Sequence, residues 1–318
     1  MQQYEVRAVS RSEAQTYAAA VLKQVYDCGV QKLRYIGGGS FGYVFAAEID
    51  VSPFTVILKG CRTAGICARE ADELSLLGAD SLVPVPRVYF TFFATQEIPL
   101  DFIGMEKMNG TNCFTDWRKL LLPKRTKARF ADEVTTFIRH WHARTNDRFG
   151  LIGNAVYDDW LDYYRPFAAD VLESARRLAA DGKLEPRVVR VMEQGWDAFD
   201  QIFCEKVETP RLIHGDMNVM NILSDKKLQN LAVIDPLESK WADAEYELFQ
   251  LRNLTGDRFG LYETYKKKYP VSKMVDQKTA FYGLYHEVYA YILSGNKVNF
   301  ILRPLVKRME GELKRLDK

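Results

Sequence analysis

The chain has 318 residues, of which 47% are hydrophobic and 27% are charged, with a formal net charge of +2. This composition is typical of a globular protein with one large domain or two moderate ones, and it lacks the apolar run of a membrane span and the basic run of a nucleic-acid-binding protein. Five cysteines without CxxC spacing, and an N-terminus without an apolar signal core, predict reduced thiols in a cytoplasmic protein.

The N-terminal third of the sequence predicts a helix followed by a five-stranded sheet. Ser10 and Glu13 fit a capping box ahead of a helical apolar repeat that stops at Gly29. The strand patterns cover residues 32–36, 41–49, 54–60, 87–94 and 101–107. A second helix is predicted at 64–77, and helices dominate after residue 107. We therefore predict an N-terminal lobe of residues 1–107 and a C-terminal lobe of residues 108–318.

A glycine-rich stretch joins the first two predicted strands. Its candidate binding residues are Gly37, Gly39, Ser40, Phe41 and Gly42, with Val44 two places further. A dinucleotide-binding motif would continue into a helix, whereas this stretch continues into β-prone residues. An ordinary glycine hairpin would show the same pattern. The arrangement also fits a kinase glycine-rich loop, whose backbone covers phosphates and whose valine contacts the adenine.

A lysine ends the third predicted strand. Lys59 occupies the position of the kinase lysine that binds nucleotide phosphates, although it is also compatible with an exposed strand end. A carboxylate must orient such a lysine. Glu70 lies on the apolar face of the following helix and needs a partner there, so we predict a Lys59–Glu70 pair with Glu73 as the alternative. At the lobe boundary, backbone groups of Glu106, Lys107 and Met108 are candidates to bind an adenine edge.

The stretch LIHGDMNVMNIL contains the residues most suited to catalysis. Asp216 follows a short apolar run, Asn221 opens a β-prone run, and Asp235 ends the next one. A hairpin between these runs would bring Asn221 and Asp235 together, with Asp216 nearby. One carboxylate to accept a hydroxyl proton and two oxygen ligands for Mg²⁺ are what phosphoryl transfer requires.

Several acidic and aromatic residues are candidates for binding an acceptor. They are Asp158, Asp159, Asp162, Glu238, Trp241 and Asp243. The first three also fit a helix start, where the helix dipole favours acids. His286 and Glu287, in a later helical pattern, are interpreted as structural residues.

The chain resembles the aminoglycoside phosphotransferase family of protein-kinase-like small-molecule kinases, which is similar to fructosamine, choline and methylthioribose kinases. The resemblance extends from about residue 32 to 251 and includes VPVPRV, HGDxxxxN, IDP and DAEYEL. It implies a two-lobed α+β protein-kinase-like fold, with ATP and Mg²⁺ as cofactors. It also implies Asp216 as the catalytic base, Asn221 and Asp235 as metal ligands, and a phosphate-binding Lys59–Glu70 pair. Glu247 replaces an aspartate of the family and is expected to support the catalytic loop.

The predicted function is transfer of the γ-phosphate of ATP to a hydroxyl of a small molecule, either an aminoglycoside-like antibiotic or a sugar, by a monomer or weak homodimer. A fructosamine- or choline-type metabolite and a nucleotide-binding scaffold without turnover remain alternatives. A protein kinase is disfavoured, because the chain has no long activation segment between Asp235 and the helix at Asp243.

Overall fold

The computed structural model describes residues 9–39, 42–80 and 82–316. These residues form two compact units. The first unit contains the described residues up to Gly110 together with Asn230–Pro236, and the second contains Thr111–Gln229 and the residues from Leu237 onward. Within the described ranges, no helix has both the length and the hydrophobicity that crossing a membrane requires.

The first unit begins with the capped helix that the sequence predicts. The hydroxyl of Ser10 accepts a hydrogen bond from the backbone of Glu13, and the Glu13 carboxylate accepts one from the backbone of Ser10. The elements are α1 (Arg11–Tyr26), β1 (Val30–Gly39), β2 (Gly42–Ile49), β3 (Thr55–Cys61), α2 (Ile66–Leu77), β4 (Val88–Phe92) and β5 (Asp101–Met105).

The five strands form one antiparallel sheet, as predicted, and their order in it is β1-β2-β3-β5-β4. Because side chains alternate between the faces of a strand, Leu58 packs toward α1, and Ile57 packs on the α2 side. Lys59 shares the face of Ile57. The sheet register therefore directs Lys59 toward the helix that carries Glu70.

The prediction that all cysteines are reduced thiols is wrong for one pair. Cys61 at the end of β3 and Cys67 in the first turn of α2 form a disulfide, with their Cα atoms 6.2 Å apart. The two residues are six positions apart, and a left-handed Gly65 (φ +81°) turns the chain between them. This tight connection brings the thiols together without CxxC spacing. Cys28, Cys113 and Cys204 are free.

The second unit is mainly helical, as predicted. Its strands are β6 (Thr111–Asn112), β7 (Phe149–Leu151), β8 (Asn154–Tyr157), β9 (Arg211–Ile213), β10 (Ile222–Ser224) and β12 (Lys240–Ala242), while β11 (Ala232–Val233) belongs to the first unit. Its α-helices are α3 (Lys124–Ala143), α4 (Trp160–Ala180), α5 (Pro186–Asp197), α6 (Phe199–Ile202), α7 (Gly256–Phe259), α8 (Leu261–Lys268), α9 (Val275–Ser294) and α10 (Asn299–Leu316). Two 3₁₀ helices cover Trp117–Leu121 and Ala244–Arg252.

A small antiparallel sheet in this unit was not predicted. Its strand order is β8-β7-β12-β9, and Lys240 in β12 pairs with Ile213 in β9. Helix α4 starts only at Trp160, because Asn154–Tyr157 is the edge strand β8. These strands are three to four residues long, too short for a periodic pattern to identify. The sheet matters for function because β9 leads directly into the His-Gly-Asp sequence.

Aromatic residues fill the core of the second unit. Trp160 is fully buried, and its indole N–H donates a hydrogen bond to the hydroxyl of Tyr282 (2.8 Å). That hydroxyl in turn donates to the carboxylate of Asp243 (2.8 Å), which also pairs with Lys278 (2.5 Å). Asp243 caps the 3₁₀ helix Ala244–Arg252. The buried network thus fixes this 3₁₀ helix against α9.

Candidate active site

The catalytic-loop candidate, defined as residues 214–221, begins where β9 ends. Gly215 has φ +88°, and a Cβ at this position would lie 2.0 Å from the carbonyl oxygen of Leu237. Only glycine accommodates both the backbone angle and the contact without a shift of the chain. The glycine of His-Gly-Asp is therefore required by the geometry of the turn that presents Asp216.

Glu247 binds the backbone at the start of this loop. Its carboxylate is fully buried and accepts hydrogen bonds from the backbone N–H groups of Gly215 (2.8 Å) and His214 (3.2 Å). The Nε2 atom of His142 lies 3.4 Å from the same carboxylate. Glu247 thus occupies the loop-supporting position that the family resemblance implies.

The carboxylate of Asp216 accepts hydrogen bonds from three side-chain amides. Asn218 (2.7 Å) and Gln250 (2.8 Å) donate to Oδ1, and Asn221 (2.8 Å) donates to Oδ2. Three amide donors fix the orientation of the carboxylate without adding a formal positive charge. Asp216 is partly exposed. This is the arrangement expected for a base that receives a hydroxyl proton.

In the first unit, Lys59 lies between two carboxylates. Its Nζ atom is 2.7 Å from Glu70 and 2.5 Å from Asp235. Burial alone lowers the pKa of Lys59, but Asp235 and Glu70 outweigh it and raise the pKa above the usual value. The lysine is therefore charged at neutral pH. The alternative partner Glu73 is buried and lies 3.6 Å from Arg69 instead.

The other predicted nucleotide-binding residues belong to the first unit. Gly37 pairs with Val44, and Gly39 with Gly42, so the strand–glycine–strand arrangement is present. Ser40 and Phe41 lie outside the described residues. The backbone N–H of Glu106 donates to the carbonyl of Arg87 (2.8 Å), so the carbonyl of Glu106 and the backbone groups of Lys107 and Met108 stay the adenine-binding candidates.

The predicted magnesium ligands offer suitable atoms. The amide nitrogen of Asn221 donates to the carboxylate and to the carbonyl oxygen of Asp216 (both 2.8 Å), which turns the amide oxygen away from Asp216. Asp235 has φ +58°, an angle that aspartate tolerates, and its side chain is about half exposed. A carboxylate and an amide oxygen are hard ligands of the type that Mg²⁺ binds. Each of the two residues therefore offers an oxygen atom of the kind that fits a magnesium ion.

The predicted acceptor-binding residues have different environments. Asp159 caps α4 through the backbone of Leu161, Asp158 pairs with Arg148, and Asp162 is exposed in the first turn of the same helix. Asp243 is buried in the ion pair with Lys278 described above, so we leave it out of the proposed acceptor site.

Two other acceptor candidates lie near β12. Glu238 accepts a hydrogen bond from the hydroxyl of Tyr289 (3.0 Å) and lies 3.5 Å from Lys240. Trp241 is partly buried within β12 itself. Glu238 is therefore held in place by its own unit, as a residue that orients a ligand must be.

Sequence reasoning missed residues that contact or approach Asp216. Asn218 follows it by two positions, and an asparagine at this spacing is a signal that could have been used. Gln250 is 34 residues away, in a 3₁₀ helix whose packing the sequence does not reveal. Glu287, interpreted from the sequence as structural, is close enough to Asp216 for the two charges to interact.

We expect Gly215→Ala to destabilise the second unit by at least about 2 kcal/mol. The new Cβ would require both a strained backbone angle and a shift of the Leu237 carbonyl. Urea unfolding at constant pH measures this loss. Gly153→Ala is a matched control, because Gly153 also has a positive φ (+77°), but no atom lies within 4 Å of the position that a Cβ would occupy there. Equal losses in both variants would contradict a steric role of the Leu237 carbonyl.

We expect Lys59→Ala to destabilise the protein by about 3 kcal/mol, because it leaves the buried carboxylate of Glu70 without its cation. The double variant Lys59→Ala/Glu70→Ala should recover part of this stability but no activity. Thermal unfolding of the double variant and of both single variants, Lys59→Ala and Glu70→Ala, tests the pair. A double variant whose loss relative to wild type equals the sum of the two single losses would contradict the coupling.

Comparison with known proteins agrees with this architecture. The model of the family described as fructosamine kinase matches residues 14–309. The uncharacterized protein YcbJ of Escherichia coli K12 is 24% identical over 252 residues, which cover 77% of this chain and 81% of that protein.

Two solved structures share the fold at low sequence identity. A candidate fructosamine-3-kinase from Haemophilus somnus 129PT superposes with a TM-score of 0.66 at 16% identity, covering 93% of this chain and 96% of that one. APH(2″)-IIa, solved in complex with gentamicin, superposes with a TM-score of 0.63 at 17% identity, covering 96% and 97%. These similarities confirm the two-lobed protein-kinase-like fold. The family match extends over most of the chain, and the protein therefore belongs to the fructosamine kinase family of kinases that act on hydroxyl-bearing small molecules.

Proposed function

We propose that this chain transfers the γ-phosphate of ATP to a hydroxyl of a sugar-like small molecule, with Asp216 as the base. The observation that carries the proposal is the carboxylate of Asp216, which three amides orient without neutralising it. The transition state of phosphoryl transfer is largely dissociative. Asp216 therefore orients the acceptor hydroxyl first and takes its proton late.

We assign the phosphates to Lys59 and the metal to Asn221 and Asp235. Lys59 is charged and held by Glu70, so it is preorganised to bind phosphate oxygens. Mg²⁺ would neutralise negative charge on the phosphates when bound. Asp235, which pairs with Lys59 here, would then turn its carboxylate to the ion, and the phosphates would replace it beside Lys59.

The family match favours a fructosamine-type acceptor over an aminoglycoside, because the matching family model is that of fructosamine kinase. Glu238 and Asp162 support an acceptor site on the second unit, since Glu238 is fixed by Tyr289 and Asp162 is exposed. A nucleotide-binding scaffold is the less favoured function, because lysine, both metal ligands and the base are all retained in the sequence.

The test is an acceptor screen with ADP release as the signal. The purified chain is incubated with ATP, Mg²⁺ and a panel of fructosamines, amino sugars, neutral sugars and aminoglycosides. We expect turnover with at least one sugar-derived acceptor, and none when Mg²⁺ is removed with a chelator. ATP binding without turnover on any acceptor would favour the scaffold, and phosphorylation of an unstructured peptide alone would overturn the proposal.

A further inference from the structure

Glu287 lies on the part of α9 that packs against the 3₁₀ helix Ala244–Arg252. One turn earlier, Gly283 is so close to this 3₁₀ helix that a Cβ would lie 3.2 Å from the ring of Phe249. His286, which directly precedes Glu287 in the chain, has its Nδ1 atom 3.1 Å from the hydroxyl of Tyr246. The same 3₁₀ helix supplies Gln250, the amide donor to Asp216. The packing of α9 therefore brings Glu287 to the neighbourhood of the proposed base.

Glu287 has no hydrogen bond or ion pair with any residue in the described ranges, although it is only partly exposed. Other carboxylates of this region are paired: Glu245 with Lys278 (2.7 Å) and Glu247 with two backbone N–H groups. A partly buried carboxylate without a partner is costly to keep. Such a residue is expected where a ligand supplies the missing partner.

The electrostatic surroundings of Glu287 are unfavourable to a second negative charge. Burial raises the pKa of Glu287 to about 8, and the carboxylate of Asp216 adds to the increase. His286 offers no compensating cation, because burial, with Lys240 in addition, lowers its pKa to about 4. With a pKa near 8, Glu287 is mostly protonated at neutral pH as long as no cation lies beside it. A positively charged group of a ligand would stabilise its carboxylate form and so favour release of this proton.

We propose that Glu287 is a specificity-determining residue of the acceptor site, where it binds a protonated amine adjacent to the hydroxyl that Asp216 activates. This inference rests on the proposed function of Asp216. An amino sugar or another amino alcohol carries both groups on neighbouring carbon atoms. Its ammonium group pairs with Glu287 while its hydroxyl meets Asp216. A neutral sugar leaves Glu287 unpaired and binds more weakly for that reason.

Binding measurements test this role independently of turnover. Calorimetry with Mg²⁺ and a non-hydrolysable ATP analogue compares 1-amino-1-deoxyfructose with fructose. We expect the wild-type chain to bind the amine at least about tenfold more tightly, the ratio expected for one charge-assisted hydrogen bond. Glu287→Gln should lose this preference while its affinity for fructose changes less than about twofold. The melting temperature of Glu287→Gln should be equal to or above that of the wild type, because an amide of similar size replaces a partly buried carboxyl group that has no hydrogen-bond partner.

Glu263→Gln is the matched control, since it makes the same substitution at an exposed residue of α8 and should leave both affinities unchanged. Glu287→Asp, which keeps a carboxyl group, should keep a preference for the amine. The proposal is overturned if the wild-type chain does not bind the amine more tightly than fructose. It is also overturned if Glu287→Gln keeps this preference, or if it lowers the affinities for the two compounds by equal factors. Amine binding through Glu287 without ADP release from ATP would contradict the proposed transferase function and leave the binding role of Glu287 in place.

Discussion

Asp216→Asn is expected to lower kcat by about a hundredfold to ten-thousandfold, the range measured for loss of a general base. The substitution preserves the size of the side chain but removes its ability to take a proton. It also places an amide among the donors of Asn218, Asn221 and Gln250, where the carboxylate accepts three hydrogen bonds. The affinity for nucleotide should change little, because none of these contacts belongs to the first unit.

Two measurements on the same preparation check this result. Calorimetry gives the ATP affinity, and ADP release with the best acceptor from the screen gives kcat. Asp200→Asn is the control, because Asp200 is an exposed acid of the same unit whose partner is Arg165. Retained turnover in a folded Asp216→Asn protein would rule out the base, and lost ATP binding would make Asp216 a structural residue.

Asp235→Asn is expected to abolish turnover, with a loss of at least about a thousandfold, because one of the two proposed metal ligands loses its charge. The fold should persist, since the amide keeps the shape of the side chain and Glu70 remains 2.7 Å from Lys59. The specific readout is the dependence of ATP affinity on Mg²⁺. Wild type should bind ATP more tightly with Mg²⁺, and Asp235→Asn should lose most of that gain.

Asp257→Asn is a matched control for this substitution. The side chain of Asp257 is half exposed, like that of Asp235, and it also pairs with basic residues, Arg252 and Arg308. It should leave both turnover and the magnesium dependence intact. Normal activity in a folded Asp235→Asn protein would remove Asp235 from the metal site.

The first unit was predictable in detail because its signals are local. Alternation along β3 places Lys59 on the face of Ile57, and helical spacing places Glu70 on the apolar face of α2. The face of β3 that carries Ile57 must pack against the apolar face of α2 for both to be buried. The ion pair between Lys59 and Glu70 follows from these two periodicities and is present in the structure.

The environment of Asp216 was only partly predictable because its contacts are long-range. Gln250 and Glu287 reach this region through the 3₁₀ helix and α9, and neither element shows a strong period that would reveal its contact face. The short strands of the β8-β7-β12-β9 sheet are likewise formed by tertiary pairing and not by local preference. The disulfide was not predicted for another reason. The prediction of reduced thiols rested on the expected cellular compartment, whereas the pairing of Cys61 with Cys67 depends on the turn at Gly65.

The aromatic core around Trp160 has a practical consequence for spectroscopy. All tryptophans of the chain belong to the second unit: Trp117, Trp141, Trp160, Trp196 and Trp241. Selective excitation of tryptophan fluorescence therefore follows the unfolding of the second unit alone, and the buried, hydrogen-bonded indole of Trp160 is its most informative reporter. Far-ultraviolet circular dichroism follows both units. Transitions that coincide in the two signals would indicate that the units melt together, and separated transitions would give each unit its own stability.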